Sequence, residues 1–103
     1  MIIVNTQEIP GKKISETLGI ARGSTVRARN LGRDIFAGLK NLVGGEISEY
    51  TKLLADAREE AINRMVLDAG RMGADAVVNV RLTTSAVMQG CAEILAYGTA
   101  VKL

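Results

Sequence analysis

The chain reads as a single α+β domain with a mainly antiparallel sheet packed by helices. Two observations predict that class. Apolar residues alternate with a period of two over 13–28, 75–82 and 91–103, the signature of strands. Between the first and second of these runs the period changes to that of a helix, with apolar stripes over 35–43 and 47–72.

The elements follow in the order strand, strand, helix, helix, strand, strand. Residues 2–5 form a short β-branched strand, and Pro10-Gly11 punctuates the turn after it. A long strand over 13–28 places Ile14, Leu18, Ile20, Val26 and Ala28 on one face. Gly19 and Gly23 predict a bulge or bend within it. Asn30 caps a helix whose face is Ile35, Phe36, Leu39, Leu42 and Val43, and Gly44-Gly45 ends it. A second helix starts near Glu46, whose charge suits a helix N-terminus. Its stripe is Ile47, Tyr50, Leu54, Ala57, Ala61, Met65 and Met72. On its wet side Lys52–Asp56, Glu60–Arg64 and Arg64–Asp68 have i,i+4 pairing distance. Gly73 is a natural C′ residue. Ala76, Val78, Val80 and Leu82 then share one strand face, and 83–90 reads as a turn region. The last strand is apolar on both sides. Ala92, Ile94, Ala96 and Ala100 lie on one face, with Cys91, Leu95, Tyr97, Val101 and Leu103 on the other. A single helical layer covers one of these faces, so the second requires another layer or another subunit.

Composition narrows the function classes. A chain of 103 residues holds one domain, 1–103, with one modest core. Its 48% hydrophobic content is that of a globular protein, but aromatics supply only 3%: Phe36, Tyr50 and Tyr97. So few large rings bury little area per residue, which points to stabilisation by self-association. The net charge of +2 is too small to argue for nucleic acid. A basic block (Arg22, Arg27, Arg29, Arg33, Lys40) is followed by an acidic one (Glu46, Glu49, Asp56, Glu59, Glu60). One cysteine, no signal peptide and no apolar run of membrane-spanning length make the chain read as cytoplasmic and reduced.

Three runs carry a family resemblance. They are VRARNLGRDIFAGLKNLVGGEISEYTKLLADAREEA at 26–61, GADAVVNVR at 73–81 and AEILAYGTAV at 92–101. Together they resemble the bacterial YbjQ-like family, whose members are mostly uncharacterised and whose label is that of a heavy-metal-binding domain. The resemblance extends over essentially the whole chain. It implies a dodecin-like subunit, with helix packed on antiparallel sheet, assembled into a homopentameric ring in which extra short strands join subunits. Residues 2–5 are the candidates for that joining strand. The label also implies a metal ion as cofactor, and no known reaction comes with it.

The residues weigh against a metal site within one subunit. Soft and borderline metals favour clustered Cys and His, whereas this chain has no His and a single Cys. Cys91 serves a metal only if a ring gathers its copies, with Met88 as a neighbour; its bland role is a small buried hydrophobe. Glu46, Glu49, Asp56 and Glu60 would suit a hard cation, although their spacing is that of a solvated helix face. Arg27, Arg29 and Arg33 flank a helix start at Asn30-Leu31-Gly32 and are candidates for a phosphate or carboxylate. Pairing with the acidic helix is the structural alternative for these arginines. Without His, a Ser-His or Cys-His nucleophile is excluded. The expectation is a homo-oligomer that binds a metal ion or small anion. The alternatives are a purely structural assembly and an enzyme with a site shared between subunits.

Overall fold

A computed structural model describes residues 1–27, 48–88 and 91–103. It contains β1 (Ile2–Ile3), β2 (Glu16–Arg27), α1 (Ser48–Arg71), β3 (Ala76–Met88) and β4 (Cys91–Lys102). The strands form one sheet in the order β1-β3-β4-β2. β4 runs antiparallel to both neighbours, so β2 and β3 point the same way with β4 between them, and α1 follows one and precedes the other. The helix expected over 30–43, with its Gly44-Gly45 break, lies outside the described residues, so the order traced is ββαββ.

The central place of β4 explains why that strand is apolar on both faces. Ile94, Ala96 and Ala100 pack on the helix side with Ala21, Val77 and the α1 residues Ala57, Ala61, Met65 and Ala69. Val101 packs on the opposite face with Ile9, Ala76 and Val78, flanked by Ile2, Val4, Ile14 and Leu103. The N-terminal segment is therefore the second layer, but only at one end of the sheet.

Small residues bring α1 onto the sheet. Ala57, Ala61, Met65 and Ala69 recur every four residues and are fully buried. A Cβ on Gly23 would strike the Met65 backbone nitrogen and the Ala61 carbonyl, and would sit 2.7 Å from the Arg64 carbonyl carbon. The bend expected at Gly23 is thus a close approach of two backbones. Met65 fills the remaining space; its burial contributes about 2 kcal/mol.

The C-terminus of α1 closes as expected. Gly73 has φ +81°, Ala74 N–H donates to Ala69 O, and Gly73 N–H donates to Gly70 O, each at 3.1 Å. That is a Schellman cap, and Ala74 packs back against the core that contains Ala69.

Several sequence expectations change. β1 has two residues and pairs parallel with β3 of its own chain. The chain continues along β3, with Val80 N–H donating to Val4 O at 3.0 Å and Asn79 N–H to Thr6 O at 2.9 Å. The segment assigned to joining subunits therefore makes its ladder within the chain. β3 runs on to Met88, through the residues expected to turn, because Thr83, Thr84 and Ser85 pair with Leu95, Ile94 and Glu93. Threonine is β-branched and suits a strand as well as a turn. A bulge between Val78 and Arg81 also reverses the alternation, so Val80 joins Val77 on the helix side instead of Val78 on the other. The bulge expected at Gly19 is present, between Thr17 and Gly19.

Among the described residues no helix is long and apolar enough to cross a membrane. Replacing Gly23 with Ala should destabilise the fold by about 3 kcal/mol, because the contacts it would violate are backbone atoms that cannot rotate away. Chemical denaturation would read this as a lower midpoint with an unchanged slope; an unaltered midpoint would contradict the packing.

Candidate functional site

The sheet register decides which sequence candidates share a place. Arg27 is the last residue of β2 and lies opposite Ala92. Cys91 is the first residue of β4 and lies opposite Met88 of β3. The backbone therefore brings Arg27, Met88 and Cys91 to the same end of the sheet. Arg29, Arg33 and Glu46 lie outside the described residues. Glu49 belongs to the first turn of α1, and Asp56 is exposed farther along it. No group of three or more His, Cys, Asp or Glu able to hold a metal exists among the described residues.

The acidic face of α1 has a second use. Glu60 pairs with Arg64 at i,i+4, as the spacing predicts, and both side chains are about half exposed. Such a pair contributes well under about 1 kcal/mol. Arg64 also donates to the carbonyl of Ser24, while Asp68 accepts from the backbone N–H of Arg22 at 3.0 Å. Asp68 therefore serves β2, and the Arg64–Asp68 pair expected from the spacing does not form among the described residues. Among the described residues β2 is an outer strand, and these two helix side chains satisfy backbone groups along it.

On the sheet face opposite α1, one open groove of about 320 Å³ is lined by Ile20, Asn79, Arg81, Tyr97, Gly98 and Thr99. The two bulges produce it. Both face the same short stretch of β4, since Gly19 pairs with Ala100 and Val78 with Thr99. Asn79 takes φ +54°, a left-handed conformation that asparagine tolerates better than most residues. Gly98 lies opposite Ala21, so a Cβ there would enter the helix side, 2.6 Å from Val77 Cγ1, and only its backbone lines the groove. Arg81 donates through Nη1 to Asn5 O at 2.8 Å and to Val80 O at 3.0 Å, tying the N-terminal segment to β3. The next row of the same face sets Arg22 and Arg81 on either side of Tyr97.

Sequence reasoning passed over this groove. Tyr97 sits in an apolar strand and reads as packing, yet it is 38% exposed. Asn79 interrupts a Val-Val-Asn-Val run, and that interruption is the one local signal of the bulge.

The fold and its surface define a class: a small α+β domain with a mixed four-stranded sheet, one described helix and a shallow groove. Within that class the chain belongs to the YbjQ-like family; the family model described as "Putative heavy-metal-binding" matches residues 1–103. A UPF0145 protein of Methanosarcina acetivorans is 66% identical over 103 residues, covering 100% of this chain and 97% of its own. One from Photobacterium profundum is 58% identical and is covered completely, as is this chain. Relatives are thus archaeal as well as bacterial, wider than the bacterial family the motifs suggest. A crystal structure of a protein of unknown function from the DUF74 family of Pediococcus pentosaceus superposes with TM-score 0.66. It shares 15% identity and covers 100% of this chain and 97% of that one, so the likeness is one of fold.

Proposed function

We propose that the protein acts as a homo-oligomeric binding module for a small ligand, assembled as a pentameric ring. The observation that carries this reading is the incomplete second layer of the sheet. Ile9 and its neighbours cover Ala76, Val78 and Val101, but farther along the same face Val26, opposite Glu93 and next to the Ser24–Leu95 pair, remains 53% exposed. A second copy of the chain is the cover that this strip fits.

The family description favours a metal as the ligand, and the residues restrict how one could be held. Cys91 opposite Met88 offers soft donors at the end of the sheet, too few in one subunit, so several copies would have to contribute. The basic turn of Arg27, Arg29 and Arg33 is the corresponding place for a small anion. A structural assembly without ligand, and an enzyme whose site is shared between subunits, are the competing readings. Failure of every ligand test below would favour the first.

Light scattering should give the mass of about five chains at micromolar concentration; a stable monomer would refute the ring. Val26→Asp should dissociate the assembly while leaving the subunit folded, since its side chain is exposed there. Equilibration with Zn²⁺ or Cu⁺ followed by gel filtration and metal analysis should leave bound metal on the wild type and much less on Cys91→Ser; equal retention would remove the thiol from the site. Phosphate should raise the melting temperature of the wild type more than that of Arg27→Ala or Arg33→Ala, and equal shifts would remove the basic turn.

A further inference from the structure

The groove between the two bulges has the chemistry of a binding site, and we infer that it takes a small carboxylate with a flat or compact apolar body. This inference rests on reading the protein as a small-ligand module, and it names a place separate from the strip assigned to assembly. Ile20 lies six residues along β2 from Val26, about 20 Å at ~3.3 Å per residue.

Three features converge there. The first is a held cation. A guanidinium has five N–H donors, and Nη1 of Arg81 spends its two on Asn5 O and Val80 O. The Nε and Nη2 donors remain, and their parallel fork matches the two oxygens of a carboxylate. Because two backbone carbonyls already hold the side chain, little rotamer freedom is left to lose on binding.

The second feature is Asn79. Its backbone N–H is committed to Thr6 O, and its left-handed φ sets the side chain at the bulge. The amide lines the groove and makes no hydrogen bond among the described residues. An amide beside a free guanidinium edge supplies a further donor to an anion, and its carbonyl can accept from a hydroxyl or amine on the same ligand. A bulge that re-aims a side chain beside a concave surface is the arrangement in which bulges recur next to functional sites.

The third is the wall. Tyr97 and Ile20, 38% and 61% exposed, flank the floor made by Gly98 and Thr99. These surfaces suit an apolar ring or short branched chain and offer nothing to a fully hydrated anion. The volume of about 320 Å³ is at the small end for ligand sites, which limits the ligand to a metabolite-sized molecule. The adjoining Arg22, whose guanidinium has no partner among the described residues, adds positive potential from the other side of Tyr97.

The test is isothermal titration of the assembled wild-type protein with benzoate, acetate and inorganic phosphate at constant ionic strength. Benzoate should bind saturably, with acetate and phosphate weaker by about tenfold because neither uses the Ile20 and Tyr97 wall. Asn79→Gly keeps a backbone conformation that glycine adopts freely, so its melting temperature should stay within a few degrees of wild type. Its benzoate affinity should nevertheless fall about tenfold. Arg81→Lys keeps the charge but loses the fork and should fall comparably, while Arg33→Ala should be unaffected. Benzoate affinity unchanged in Asn79→Gly would overturn the groove as the site while leaving a ligand bound elsewhere. Phosphate binding as tight as benzoate in this groove would overturn the ligand class. No saturable binding by any of the three probes would overturn the inference together with the small-anion part of the module reading, and light scattering on the same samples reports separately on the ring.

Discussion

The seating of β4 between β3 and β2 is the constraint on which the rest of this structure depends. A central strand has no free edge and both faces to bury. The chain meets that demand with two different layers. α1 lies on one face, held close by Gly23 against Ala61 and Met65. The N-terminal segment lies on the other, but it is short and covers only the end near Val101. Everything of functional interest on the described surface follows from that shortfall. Where the second layer stops, no described residue covers the sheet face, and the groove and the exposed Val26 lie along it.

The edges are treated differently from the faces. The β3 edge is occupied by β1 and the residues that follow it, fastened by Arg81 through Asn5. Among the described residues no strand pairs the β2 edge. Arg64 and Asp68 reach from α1 to its backbone instead. Charged side chains at an edge discourage uncontrolled strand addition.

Arg81 connects fold and site. The same guanidinium that fastens the N-terminal layer also lines the groove, so the order of that layer and the shape of the groove are linked. Across the face, the bulges on β2 and β3 stand at one level of β4. A single bulge would only reverse the alternation of its own strand. Two of them meet the same stretch of β4 at Thr99 and Ala100, where the groove lies.

Much of the architecture was legible in residue order alone. The stripe Ala57, Ala61 and Met65 has the period of a helix and is buried as that period requires, and Gly73 is the residue a helix C-terminus needs because only a side chain without Cβ accepts φ +81° at little cost. The two-sided apolarity of 91–103 marked a strand that must be covered twice, and the long motifs already pointed to the family. Three things required the tertiary structure. Residues 83–88 could be assigned to strand only through pairing with β4, because Thr and Ser serve turns and strands alike. Residues 2–6 could be assigned to β3 of their own chain only through long-range hydrogen bonds, which leave no local pattern. The groove depends on two bulges more than fifty residues apart that meet across a third strand. Local periodicity reports which face a residue occupies, but it does not report which strands become neighbours, and the site is a property of that neighbourhood.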